Sequence, residues 1–391
     1  MTVYHLEFAK TGHNLSGGEV WMTEVIKQLQ AKGLKNVLLT TDNAKQTYER
    51  IGLIESDTLT YQIIESYQGE QKLPLIASYV ARTLQACALV RTLKLDQDDM
   101  IICHSDFFPN SVPFYVLARQ GGTAKLFCLF HMLAPGLFRG YEGHFTNRFQ
   151  LPKLTILHYR LNQRLYRQIL RKTGAAVITN NQYYAQLLER SHLKGRINVL
   201  KRFAGAEQHD SQPAKIYDIL WMGRFHPQKG LLEVPAILEQ IKRQVPELKV
   251  LILGGAADDD LKQRFLDEIA RRGLTQNVEM KGFVVGEDKY RYICQSKVFL
   301  MTSFYESFGM VNLEALKNGV PVVAYDLPIY SVFSGGMVKV PVLDRAAMAE
   351  QAVRLLNQAS TYQQVSAEAR EFASSFSWQN TGDEIYRLLL A

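Results

Sequence analysis

The chain has 391 residues, of which 47% are hydrophobic and 21% charged, with a net charge of +7. That length and apolar content serve two or three domains with full cores and exclude a chain too small or too polar to bury one. Residues 1–200 carry 23 Lys and Arg against 15 Asp and Glu (+8), and residues 201–391 carry 22 against 23 (−1). The basicity therefore belongs to the first half, which implies an acidic partner there, a membrane surface or a nucleic acid.

Residues 3–8 read as a first strand. The loop AKTGHNLSGGEVW follows, with Gly12, Gly17 and Gly18 making it permissive ahead of a helix over 20–31. A strand-like run directly after Met1 leads us to expect no signal peptide, and no apolar run approaches bilayer length. Residues 36–41 form the next strand, and 48–67 give no clear pattern. A helix over 75–93 precedes a buried strand, MIICH, at 100–104. A helix from Phe114 and a strand over 125–131 come next, with His131 at the strand's C-terminal end. Cys87, Cys103, Cys128 and Cys294 fit no metal spacing. They read as buried reduced thiols, in keeping with a cytoplasmic protein.

Residues 154–172 show strong helical periodicity. Leu157, Leu161, Leu165 and Ile169 recur every fourth residue and are expected to pack on the sheet. Arg160, Arg164, Arg167 and Arg171 form a second stripe, and no acid occurs from 145 to 188 to balance it. The expectation is contact with anionic lipid headgroups on the inner face of the membrane. Nucleic acid is not expected, because no binding module or aromatic-interleaved basic motif accompanies the stripe. Residues 175–179 read as the last strand of the first half, 183–190 as a helix, and 198–209 as a crossing to a second domain.

Alternation then resumes: a strand over 216–222, the loop GRFHPQKG, a helix from Leu231, a strand over 249–253, a helix over 261–272 and a strand over 277–280. The loop KGFVVGED and a short helix over 288–295 follow. The stretch 298–325 contains a strand, a polar and aromatic loop with Glu306, a turn at Gly309, a helix over 310–317 with Glu314, and another strand. Residues 337–340 are a weaker strand, and 346–356, 367–376 and 381–390 are helices. Strand and helix alternate through both halves, so the expected fold is α/β with two doubly wound, Rossmann-like domains facing each other across a cleft.

The chemistry gathers at strand ends of the second half. Arg224 and Lys229 lie five apart in one Gly-bounded loop, a planar fork and a mobile point charge suited to a diphosphate. The Gly309 turn adds backbone N–H groups and the positive end of a helix. Glu314, inside that helix, can accept the paired hydroxyls of a ribose, and Glu306 can accept hydrogen bonds from a sugar ring. The acid runs Asp258-Asp259-Asp260 and Asp96-x-Asp98 sit at helix starts or turns, where acids are common, so no metal site is expected.

GRFHPQKG before a helix, and later ESFGMVNLEALKNGVPVVA, resemble the signature of retaining glycosyltransferases of the GT-B fold, family four (glycosyltransferase group 1 type), with its Glu-x7-Glu pair at Glu306 and Glu314. The resemblance is specific over about 216–326 and looser in the first half. It implies domains at 1–202 (acceptor binding) and 203–372 (nucleotide-sugar binding), and a C-terminal helix at 373–391 packing back on the first domain. It implies that Arg224 and Lys229 hold a diphosphate, Glu314 a ribose, and Glu306 with the amides of Ser307, Phe308, Gly309 and Met310 the transferred sugar. His131 would reach that sugar, Gly17 and Gly18 would border acceptor and diphosphate, and the loop around Val284 would lie near the base. The implied reaction moves a hexose from a UDP-sugar, or GDP-mannose, to a hydroxyl of a glycan or lipid-linked acceptor, with retention and no metal or other cofactor. An epimerase or hydrolase on the same fold, or a non-catalytic partner of another transferase, are the alternatives. One departure stands out: many members carry Asn-Gly-Val-Asp at the domain crossing, where this chain has Lys201-Arg202-Phe203-Ala204-Gly205.

Overall fold

The structure is a computed structural model describing residues 1–10, 15–65, 75–120, 124–136, 153–209, 213–255 and 259–391. The chain forms two compact units, Met1–Ala204 with Trp378–Ala391, and Gly205–Ser377.

The first unit is built on a seven-stranded sheet of order β3-β2-β1-β4-β5-β6-β7. Its strands are β1 (Thr2–Glu7), β2 (Lys35–Thr41), β3 (Leu59–Ile64), β4 (Met100–Cys103), β5 (Lys125–Phe130), β6 (Ala176–Thr179) and β7 (Ile197–Val199). Every pairing is parallel; Leu6 stands level with Leu39 on one side and Cys103 on the other. A parallel sheet must be covered on both faces, which is why β4 and β5 are near-continuous apolar runs. The cover comes from α1 (Gly17–Ala31), α2 (Asp42–Arg50), α3 (Leu75–Thr92), α4 (Phe108–Arg119), α5 (Lys153–Thr173), α6 (Gln182–Glu189) and the C-terminal α13 (Trp378–Leu390). Chain order reverses between β1 and β4, the switch point where such sheets bind ligands.

The second unit has a six-stranded parallel sheet of order β10-β9-β8-β11-β12-β13. These strands are β8 (Tyr217–Met222), β9 (Val250–Leu253), β10 (Val278–Gly282), β11 (Ser296–Met301), β12 (Val322–Tyr325) and β13 (Met337–Val340). Helices α7 (Val234–Lys242), α8 (Asp259–Arg271), α9 (Gly286–Cys294), α10 (Met310–Lys317), α11 (Arg345–Asn357) and α12 (Ala359–Ser374) surround it. Its switch point lies between β8 and β11.

The structure departs from the sequence reading in several places. Residues 48–67, unreadable by pattern, hold the end of α2 and all of β3. Residues 175–179 are not the last strand of their half, since β7 follows and pairs with β6. Helix α4 starts at Phe108, not Phe114; proline is tolerated in a first turn, and Asn162 Oδ1 accepts the Phe108 N–H at 2.7 Å. Gly17 and Gly18 lie inside the first turn of α1, because Ser16 and Glu19 form a capping pattern three residues apart, the Ser16 N–H donating to the Glu19 carboxylate.

The largest correction concerns α5. Its buried face is Ile156, Asn162, Gln163, Tyr166, Ile169 and Leu170, whereas Leu157 is 42% and Leu161 56% exposed. The cause is the polar demand of the sheet-end loops. Gln163 accepts from Ala134 N and donates to Met132 O and Asp106 Oδ2, and Tyr166 donates to Leu129 O. With Asn162 also turned inward, Leu154, Leu157 and Leu161 are rotated to solvent.

Candidate functional site

The second unit gathers Arg224, Lys229, Glu306, Gly309 and Glu314 around its switch point. The loops after β8 and β11 are stitched together: Phe304 N donates to Gln228 O at 2.9 Å, Gln228 Nε2 to Tyr305 O at 2.7 Å, and Thr302 Oγ1 to Lys229 O at 2.9 Å. Gly230 permits this approach, since a Cβ there would lie 2.0 Å from the Thr302 carbonyl oxygen, and its φ of +64° is left-handed. The result brings the Lys229 ammonium to 2.5 Å from Glu306 Oε1, with the side chains only 15% and 7% exposed. Arg224, in the same loop, stays exposed.

Gly309 ends the Glu306 loop at φ +89° and opens α10. A Cβ there would lie 2.6 Å from the Asn312 amide nitrogen, so the position excludes other residues twice, by backbone strain and by space. Ser307 and Met310 are half-buried and Phe308 buried along this turn. The unpaired N–H groups of a first helical turn suit an anion. Glu314, one turn further, is held by Lys289 of α9, whose Nζ lies 2.7 Å from Glu314 Oε1. Burial alone would lower the Lys289 pKa, yet Glu314 and Tyr290 together outweigh it and hold the pKa above its ordinary value. The sequence reading missed Lys289; its place five residues after Val284 is its only signal. Val284 is half-buried between exposed Phe283 and Val285 after β10.

In the first unit, Gly17, Gly18 and His131 sit where β1 and β5 end. A Cβ on Gly18 would lie 3.6 Å from His131 Nε2. Gly12 falls outside the described residues. A polar network underlies this edge. Asn36 spends its amide N–H groups on Leu34 O and Thr58 O, so its oxygen must accept from His5 Nε2, at 3.0 Å. His5 Nδ1 then accepts from His104 Nε2 at 2.9 Å, which leaves His104 Nδ1 a buried lone pair without a hydrogen-bond partner. His131 Nε2 donates to His104 O at 3.2 Å, leaving its Nδ1 as acceptor. Burial pulls His5 and His131 down to about 4 and His104 well below the usual imidazole range. All three are therefore neutral at pH 7. Beside them, burial and then the nearby Glu19 charge push Glu7 up to about 8.

Of the arginine stripe, Arg160, Arg164 and Arg171 are exposed and Arg167 is half-buried. Arg160, Arg167 and Arg171 each donate to a backbone carbonyl, of Pro135, Gln163 and Ser191. Among the described residues no His, Cys, Asp or Glu cluster could hold a metal ion. Asp99 closes its own turn, accepting from Thr2 N and Asp96 N. Asp258 lies outside the described residues, and Asp259 and Asp260 open α8. The four cysteines are free and buried. No described helix is long and apolar enough to cross a membrane.

Two doubly wound units of this topology define the GT-B class of α/β proteins. Within the second unit, residues 206–372 match the family model of glycosyl transferases group 1. The chain is 26% identical over 174 residues to a poly(glycerol-phosphate) alpha-glucosyltransferase of Bacillus subtilis, covering 43% of this chain and 25% of that one. It is 28% identical over 191 residues to a phosphatidyl-myo-inositol mannosyltransferase of Mycolicibacterium smegmatis, covering 48% of each. The chain thus spans about half or less of the length of these curated relatives. Among solved structures, the pneumococcal O-GlcNAc transferase GtfA in complex with UDP and GlcNAc matches at a TM-score of 0.76 and 14% identity, over 100% of this chain and 98% of that one. Anabaena HepE in complex with UDP and glucose matches at 0.71 and 16%, over 100% and 99%.

Proposed function

We propose that this protein is a retaining glycosyltransferase that moves a hexose from a nucleotide-diphosphate sugar to a hydroxyl of a glycan or lipid-linked acceptor. The observation that carries the reading is the Lys229–Glu306 pair, set at the second switch point beside the Gly309 turn. A diphosphate arriving there competes with Glu306 for Lys229. As the ammonium turns to the phosphates, with Arg224 beside it, Glu306 is released to accept from hydroxyls of the donor sugar. Glu314 takes the ribose hydroxyls, and the loop at Val284 borders the base. The amides of Ser307 to Met310 and the α10 N-terminus stabilise charge growing on the leaving diphosphate. The acceptor hydroxyl attacks on the face the phosphate leaves, and a departing phosphate oxygen takes its proton. No protein nucleophile and no metal is required; cation and helix end do the neutralising.

The first unit serves the acceptor, with Gly17 and Gly18 bordering it and neutral His131 accepting at Nδ1 from a hydroxyl of the transferred sugar. UDP-sugars are favoured because GtfA and HepE carry UDP; the mannosyltransferase relative keeps GDP-mannose second. Thermal unfolding across a panel of nucleotide sugars tests the donor, since a bound ligand stabilises by mass action. NMR of the product then reads its anomeric configuration. Inversion refutes the mechanism. Epimerisation or hydrolysis without an acceptor favours the epimerase or hydrolase alternative. Glu306→Ala and Lys229→Ala leaving transfer intact would make the chain a non-catalytic partner.

A lipid-linked acceptor is favoured by α5, where exposed Leu154, Leu157 and Leu161 stand beside exposed Arg160 and Arg164. Aliphatic side chains flanked by arginines suit insertion at an anionic headgroup boundary. The protein would then work at the cytoplasmic membrane face. Cosedimentation with phosphatidylglycerol vesicles, unchanged by Leu157→Glu with Leu161→Glu, would refute this.

A further inference from the structure

The departure at the crossing, Lys201 to Gly205, has a structural counterpart. Phe203, 4% exposed, stacks on Trp21 of α1 with ring centroids 5.2 Å apart and planes 11° from parallel. Its edge meets His131 at 5.9 Å and 77°. Trp21 also meets His131, at 6.4 Å and 75°, and its indole N–H donates to the Phe203 carbonyl at 2.5 Å. His131 thus stands in a corner of two aromatic rings, with its Nε2 tied to the His104 carbonyl. The crossing backbone is pinned from the other side: Glu384 of α13 accepts from Lys201 N at 2.8 Å and Arg202 N at 3.1 Å. The other unit begins at Gly205, two residues after Phe203.

We propose that Trp21 and Phe203 are positioning residues for His131, and that Phe203 makes the placement of this imidazole depend on the chain crossing between the two units. This rests on the reading of His131 as a donor-sugar contact. The aromatic corner fixes the ring's plane and keeps water from Nε2, so that Nδ1 is the nitrogen offered to a ligand. Aliphatic or small residues at 203 leave the ring free to rotate.

The test uses the full chain labelled with ¹⁵N-histidine, the variants Phe203→Ala, Phe203→Leu and Phe203→Tyr, and His131→Asn to assign the signal. Wild type is expected to show His131 as the neutral Nε2–H tautomer down to about pH 5. Phe203→Ala and Phe203→Leu should raise its titration by about one pH unit or more and mix the tautomers, as water reaches the ring. Phe203→Tyr, which keeps the stacking, should behave as wild type. An unchanged His131 signal in either small-residue variant overturns the positioning role. In transfer assays, Phe203→Leu should lower kcat about tenfold with the donor KM nearly unchanged. The same substitution in a His131→Ala background should cost nothing further. Equal losses in both backgrounds overturn the proposal, because the residue would then act through something other than His131. Full activity of His131→Ala alone refutes instead the underlying role of His131, while the spectra still decide whether Phe203 holds it.

Discussion

Lys229 offers the sharpest perturbation of this molecule, because its loss has separable effects on stability and on ligand binding. Its ammonium lies 2.5 Å from Glu306, and the two side chains are 15% and 7% exposed. Lys229→Met keeps the stem's bulk but strands a buried carboxylate. Orphaning one member of a fully buried pair costs about 3–5 kcal/mol; partial exposure of Lys229 brings this to about 2–3 kcal/mol. For a unit the size of Gly205–Ser377, each kcal/mol moves Tm by about 2–4 °C, so calorimetry should show that unit melting about 4–12 °C lower. The double variant Lys229→Met with Glu306→Gln removes the stranded charge and should recover most of the loss. Neither variant should show the UDP stabilisation expected of wild type, about 2.7 kcal/mol at a hundredfold excess over Kd. A single variant melting within a degree of wild type would show that the pair is not coupled as the geometry requires. A double variant no better than the single would refute the stranded-charge account, and a single variant still stabilised by UDP would refute the diphosphate role of Lys229.

Three further outcomes are expected. Glu7→Gln should gain stability relative to wild type as pH rises. The folded pKa of Glu7 is raised to about 8, so its favourable contribution is complete below the unfolded value and is lost on the way up to pH 8, by up to about 1.4 kcal/mol per pH unit; parallel melting curves from pH 5 to 8 would contradict this. Gly309→Ala, forced to φ +89° against Asn312, should weaken UDP binding about tenfold or more in calorimetric titration, and unchanged affinity would deny the turn its anion-binding role. On the proposed division of work, in which Arg224, Lys229 and the α10 N-terminus supply the neutralising charge, transfer should survive EDTA; strict manganese dependence would refute it.

Much of this fold was legible because parallel α/β sheets leave strong local traces. Buried strands are largely apolar runs, and helix ends are marked by Gly309, Gly273 and the Asn318-Gly319 stop of α10, so α10 and β13 were placed to the residue. Glu306 and Glu314 were readable because they sit on one strand-turn-helix stretch. What sequence could not carry was information held by partners far along the chain. Periodicity in α5 states which residues share a face, and both its faces contain aliphatics. Which face turns inward was decided by the unmet backbone groups of loops at 108 and 132–134, which Asn162 and Gln163 satisfy. A hydrophobicity argument alone therefore chose the wrong leucines. Lys289 went unnoticed because its partner lies 25 positions away on another helix.

The crossing shows the same limit from the opposite direction. Residues 201–205 stood out only as a departure from a family pattern, with no chemistry attached. The structure supplies a reason for an aromatic residue there, since Phe203 fills a corner between Trp21, 182 positions earlier, and His131. A segment expected to do no more than join two domains is thus packed against a candidate site residue, and Glu384 from the far end of the chain grips its backbone. Substitution in such a segment reaches the site through ring packing, at a distance in sequence that no local pattern records. It follows that changes at 203 and 384 should alter His131 in the same sense, Phe203 through its ring and Glu384 through the two amides it holds, whereas changes to the exposed α5 leucines should leave that imidazole untouched.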